Sequence, residues 1–342
     1  MQVPSSYYTT GNNARALPHV TKRLLDENSE ACLAYDAQTE IAYLEKYGRP
    51  LPPFQRLQRE IFDYKKQSPS EHSKTLPEYL KVVSHLVPLN DEVLLRPKIR
   101  HPDFRPSNVI VSDQLEISGL IDWQHCSILP IFLQSGIPHE FQNYGDEISE
   151  SLTTSSLPED FNSLDEQAQS QAVQLLQKRQ VHYNYFKATA RFNPDHYRTL
   201  INSINILRQK LYTFSSVPWE GNNVTLKAYL IELTRRWPRL FRSASSIDDN
   251  TVPPCPISFN DEEAAECLRL HEAVMEADEQ YEACKDSINV GPESWVPADQ
   301  YEETMKRAEK FKADALEEVD PETRAALAEH WIFDGSDDEE YT

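Results

Sequence analysis

The residues best suited to chemistry stand close together in one stretch of the chain: His101-Pro102-Asp103, Asn108 five residues beyond the aspartate, and Asp122 after the run Gly119-Leu120-Ile121. A short apolar strand, Val109-Ile110-Val111, follows the asparagine. A turn at Ser112-Asp113-Gln114 and a second alternating strand then lead to Asp122. A strand pair of this kind brings the loop aspartate, the asparagine and the strand-end aspartate to one end of a rigid support. Phosphoryl transfer uses such a set: one carboxylate accepts a hydroxyl proton, while an asparagine and a second aspartate hold Mg²⁺ on nucleotide phosphates. In that reading Asp103 is the general base, and Asn108 and Asp122 are the metal ligands, hard oxygens for a hard cation. His101 belongs to the same catalytic loop and is expected to brace it by hydrogen bonding. Two blander readings compete. Asp103 and Asn108 could simply cap a surface turn. His101, Asp103, Asp122 and His125, with Cys126 alongside, could form a hydrolytic metal centre, but no His-x-x-x-His occurs anywhere in the sequence.

The stretches His101-Pro-Asp-Phe-Arg-Pro-Ser-Asn108 and Gly119-Leu-Ile-Asp-Trp-Gln-His125 resemble the aminoglycoside phosphotransferase and choline kinase superfamily. Within it, the chain looks like the fungal phosphotransferase-domain proteins related to altered inheritance of mitochondria protein 9. Glu40-Ile-Ala-Tyr-Leu-Glu-Lys-Tyr47, Phe132-Leu-Gln-Ser-Gly-Ile-Pro138, Phe141-Gln-Asn-Tyr-Gly-Asp146 and Trp219-Glu-Gly221 carry the likeness further. It implies a kinase-like fold, ATP and Mg²⁺ as cofactors, a small-molecule hydroxyl as acceptor, and a mitochondrial or cytoplasmic location. Arg105 stands where that family commonly has histidine.

A kinase-like enzyme also needs a Gly-rich loop over the phosphates and a strand lysine. The chain has 8 glycines, none of them forming Gly-x-Gly, and no apolar strand ending in lysine precedes Asp103. The expectation is therefore the C-terminal lobe of a kinase-like fold without its N-terminal lobe. Such a chain should bind ATP weakly or not at all by itself. Its alternative role is a non-catalytic, pseudokinase-like interaction module.

Charge divides the molecule. Of a net charge of −21, residues 261–342 carry −19, with 26 acids against 7 bases. An acidic end of this kind makes nucleic acid and anionic membrane poor partners and suggests a protein partner instead. Five scattered cysteines without a Cys-x-x-Cys fit free thiols. No apolar run reaches the roughly 18 residues that span a bilayer, and the N-terminus lacks a signal-peptide core.

These elements imply an α+β, mostly helical protein. Residues 1–34 read as loop or lobe remnant and 35–241 as the phosphotransferase lobe. Residues 242–257 read as a linker, 258–333 as an acidic helical extension and 334–342 as an acidic tail. Helices are expected at Gln38–Tyr47 and Pro69–Val87, and from a Ser163/Glu166 capping box to Ala190, with Leu175 among its core positions. Leu200, Ile204, Leu207 and Leu211 mark one further helix, and Leu226 to Trp237 the next. In the extension, Tyr301, Met305, Ala308 and Ala315, then Leu327, Trp331 and Phe333, are the stripes expected to pack on the body.

Overall fold

The computed structural model describes residues 29–89, 91–124, 126–241, 252–291 and 296–334. The body is built on α1 (Ser29–Tyr47) and α2 (Ser70–Leu86), which pack along each other. Their apolar stripes, Leu33, Ala37 and Leu44 on one and Leu76, Tyr79, Val83 and Leu86 on the other, form one half of the core. The Tyr79 hydroxyl crosses the seam to donate to the Leu33 carbonyl at 3.1 Å. Helix α1 begins well before Gln38, so residues 29–34 are not loop. Cys32 and Leu33 are buried and extend the same stripe backwards. Residues 1–28 lie outside the described residues.

The other half of the core comes from later helices. Helix α3 (Glu166–Phe192) is followed by α4 (Pro194–Leu200), α5 (Ser203–Ser215) and α6 (Val224–Arg236). Ile204, Leu207 and Leu211 of α5 and Leu226, Leu230 and Leu233 of α6 join the α1–α2 core. The stripe from Leu200 to Leu211 belongs to two helices, not one, because Asn202 interrupts it and its side chain accepts from the Ile204 amide. The capping box at Ser163 and Glu166 does not form. Asp165 caps α3 instead, accepting from the Ala168 amide at 2.8 Å, while Ser163 closes a preceding 3₁₀ turn. Leu175 is also exposed, since the first half of α3 stands clear of the body.

One corner ties distant segments together. Glu40 of α1 is buried and accepts from the Trp219 amide at 2.8 Å, and the Trp219 indole donates to the Arg49 carbonyl at 2.9 Å. Gly221 follows with φ +82°, and a Cβ there would lie 2.1 Å from the Pro52 carbonyl oxygen. Only glycine satisfies both conditions. Burial, then the nearby Glu40, pushes the Glu220 carboxyl up to about 7.

The acidic extension packs on the body. Helix α7 (Asp261–Ser287) lies against α6, with Ala264 and Cys267 meeting Ala228 and Ile231. The sequence placed a linker at 242–257, but Val252, Cys255 and Ile257 pack into the main core, and the Pro253 carbonyl accepts from the Trp237 indole at 2.8 Å. Beyond α7, α8 (Tyr301–Glu318) and α9 (Pro321–Glu329) lead to Trp331 and Ile332, both buried. The stripe on α8 is shifted from expectation. Tyr301 and Met305 face solvent, whereas Thr304, Ala308, Phe311 and Ala315 turn inward. Arg56 donates to the Trp331 carbonyl at 3.1 Å, Arg59 meets His330 at 3.1 Å, and Tyr64 stacks on the His330 ring. Gln58 reaches Asp278 of α7 at 2.7 Å. The segment 54–64 thus holds the second half of α7 and the C-terminal end of the extension. No helix among the described residues is long and apolar enough to cross a membrane.

Two small antiparallel ribbons complete the fold. Strand β1 (Pro97–Arg100) pairs with β4 (Ser127–Pro130), and β2 (Val109–Val111) pairs with β3 (Ile117–Leu120). One hairpin is therefore nested inside another, and the two connections between them, 101–108 and 121–126, must run side by side.

Candidate active site

Those two connections carry the residues singled out by their chemistry, and backbone bonds stitch them together. The Ile121 amide donates to the Asn108 carbonyl at 3.0 Å, continuing the register that pairs Val109 with Leu120. Asp122 is thereby placed one residue beyond the partner of Asn108. It has φ +64°, a left-handed conformation that aspartate tolerates better than most residues, and it is exposed.

His101 joins the two connections from the other side. Its Nδ1 accepts from the Asp103 amide at 3.2 Å, and its Nε2 lies 2.7 Å from the Ile121 carbonyl. A carbonyl can only accept, so the proton sits on Nε2, and both ring nitrogens are occupied by backbone. The ring is buried edge-on against Trp123, with centroids 4.8 Å apart. In this geometry His101 braces the loop and has no free nitrogen for acid–base work.

Asn108 is buried and its amide is oriented by the same logic. Nδ2 donates to the Asp103 carbonyl at 2.9 Å and to Asp103 Oδ2 at 3.1 Å, which turns Oδ1 away from the loop as the group's remaining acceptor. Arg105 Nε lies 2.8 Å from the same Oδ2. One carboxylate oxygen of Asp103 is thus held by an amide and a guanidinium. Among the described residues no contact involves the other oxygen, and the side chain is 42 % exposed. The sequence marked Arg105 as a departure but gave no sign of this ion pair. A cation two residues after an acid in a short loop was the only available signal.

The structure brings Asp103, Asn108 and His101 into direct contact and sets Asp122 at the same end of the ribbon. It records no side-chain contact from Asp122 to the others. The donors fit Mg²⁺ in kind, an amide oxygen and a carboxylate at an open edge. No group of three or more His, Cys, Asp or Glu side chains able to hold a metal occurs among the described residues, which leaves the hydrolytic metal centre without support there. His125, one of its candidate ligands, lies outside them.

Behind the loop lies a polar, aromatic layer. Phe104 stacks on Phe141, which meets Tyr185. The guanidinium of Arg100, at the end of β1, donates to the Gln134 and Gly136 carbonyls and to the Tyr185 hydroxyl. Burial lowers its pKa, and the same arginine, added to burial, holds His196 neutral by pushing it down to about 3.

A braced acidic loop, a strand-end aspartate at the same end of the ribbon and a mostly helical body are the features expected of the C-terminal lobe of a kinase-like fold. Residues 12–132 match the model of the phosphotransferase enzyme family. It is 25 % identical over 310 residues to a subtelomeric hrmA-associated cluster protein of Aspergillus fumigatus, covering 90 % of this chain and 58 % of that protein. It is 22 % identical over 221 residues to the mitochondrial altered inheritance of mitochondria protein 9 of Candida glabrata, covering 64 % of this chain and 31 % of that protein. To the Saccharomyces cerevisiae protein of that name it is 21 % identical over 287 residues, covering 82 % of this chain and 42 % of that one. The chain thus spans well under two thirds of the length of these relatives. No solved structure matches it.

Proposed function

We propose that this chain supplies the hydroxyl-activating half of an ATP-dependent small-molecule phosphotransferase. The observation that carries the reading is the grip of Asn108 on Asp103. It fixes the carboxylate through one oxygen, and leaves the asparagine's amide oxygen as its remaining acceptor at the end of the ribbon that also carries Asp122. Asp103 would take the proton of an acceptor hydroxyl as the oxygen becomes nucleophilic. Asn108 and Asp122 would hold Mg²⁺, which supplies charge neutralisation on the phosphates when bound. His101 keeps the loop in place through backbone bonds alone. The sequence contains no Gly-x-Gly, so on this reading turnover requires a phosphate-covering element besides the described residues, and the chain alone binds ATP weakly. The yeast relatives' names suggest a mitochondrial setting.

A second reading rests on a different observation. Ile99, Ile110, Val111, Leu115, Ile117 and Ile128 are all about half exposed or more and crowd the two ribbons around the site. An apolar surface of this extent on small ribbons favours a binding role, with the site inherited and unused.

The experiment that separates the readings measures melting temperature against Mg²⁺ at constant ionic strength. The parent should be stabilised in millimolar Mg²⁺, and Asp122→Asn should lose that response, as should Asn108→Ala. Equal responses from the parent and Asp122→Asn would favour the binding module.

A further inference from the structure

Helix α5 turns two polar side chains into the interior beside its apolar stripe. Asn205, in the first turn, is completely buried, and Arg208, one turn later, is 5 % exposed. Arg208 Nη1 donates to Asn205 Oδ1 at 2.7 Å. Arg208 Nε and Asn205 Nδ2 are both buried without a hydrogen-bond partner. Tyr212, the next polar group along this face, uses its hydroxyl on Cys32. Burial alone accounts for the lowering of the arginine pKa to about 10, with no carboxylate contributing.

Several other cations in the body meet a carboxylate, and the buried Arg100, which does not, has its donors taken up by carbonyls and the Tyr185 hydroxyl. Arg179 grips Asp146 with two nitrogens, Arg198 meets Asp91 at 2.7 Å, and Lys227 meets Glu263 at 2.6 Å. The buried Lys285 lies 2.8 Å from Glu282. A buried guanidinium without a counter-charge is unfavourable, and water can complete its hydrogen bonds but cannot neutralise it. The unpaired groups at this site are donors only, and the first turn of α5 adds the positive end of its helix dipole. Donors, a net positive charge and enclosure together select a small anion over a cation or a neutral ligand.

We propose that the Asn205–Arg208 site inside α5 binds a small monovalent inorganic anion of the chloride class, held as a structural ion. One negative charge balances the one guanidinium, and both side chains are nearly fully buried.

The test uses the full chain in sodium chloride against sodium gluconate at equal ionic strength, with melting temperature as the readout. The parent should gain a saturable rise of roughly 2 °C or more with chloride. Arg208→Met should lose that rise and melt, in gluconate, at or above the parent, because the unpaired charge is gone. Asn205→Asp supplies an internal counter-charge beside Arg208, and it too should melt higher in gluconate and ignore chloride. Should either variant fail to fold, the other decides. A parent indifferent to chloride, or a variant that keeps the full chloride response, would overturn the proposal and leave a site filled by water.

Discussion

Asp103 sits between two groups that pull on the same oxygen, and the balance between them sets what the loop can do. Asn108 contributes order, because its amide also holds the Asp103 backbone carbonyl. Removing it leaves the part-buried Asp103 carbonyl without this donor and frees the loop. Asn108→Ala should cost about 1–2 kcal/mol in urea unfolding as well as the Mg²⁺ response. Arg105 contributes charge. Replacing it with alanine should leave stability within about 1 kcal/mol, since the pair is partly exposed. A loss as large as that of Asn108→Ala would mean that Arg105 holds the loop as well. The site residues themselves were legible in the sequence because their chemistry is local: types and spacing within some twenty residues name them. The direction of each side chain was not, since that depends on Ile121 and Trp123 across the second connection.

Among the elements, the corner at residues 219–221 is the most constrained. Gly221→Ala must accept both a left-handed backbone and a Cβ driven into the Pro52 carbonyl, so a loss of at least about 2 kcal/mol is expected in urea unfolding. The neighbouring Glu220 gives a dependence on pH with a definite sign. Its folded pKa, about 7, lies above the ordinary 4.5, so the folded state is favoured while the group stays protonated, and that advantage fades as pH rises through about 7. Asp278, raised to about 6, acts in the same direction. Asp146, held near 2 by Arg179, acts in the opposite one, stabilising above its ordinary range and failing as pH falls. Glu220→Gln should flatten the decline between pH 5 and 8 and melt above the parent at pH 8. An unchanged slope would show that Glu220 is not desolvated. Such features escape a linear reading because Pro52, Glu40 and Glu220 are far apart in the chain. The helices were more legible, though with errors of one kind. The 3.6-residue period finds a helix but not the neighbour that covers it, which is why Leu175 and Met305 were assigned to packed faces that solvent occupies.

At the scale of the molecule, a nearly neutral body carries an extension that holds most of the net charge. The extension is held at two places, along α6 through α7 and at segment 54–64 through Trp331 and His330. The second attachment can be removed without touching the main core. Trp331→Ala should cost about 3–5 kcal/mol locally and raise amide exchange in α8 and α9, while α2 and α6 keep their protection. Exchange rising equally in α2 would mean that the extension is part of the main cooperative unit.

The nested hairpins also dictate an order of assembly. The inner turn closes only a handful of residues between β2 and β3, so this ribbon can form early from the collapsed chain. Once it exists, β1 and β4 have only two short connections left to close, and the entropic cost of their pairing falls accordingly. The inner ribbon already aligns Asn108 with Asp122, and His101, at the end of β1, is braced against the Ile121 carbonyl when that second closure is made. The site therefore reports on completion: a nascent chain arrested before β4 holds every residue named for the chemistry and yet lacks the strand pairing that closes the loop around them.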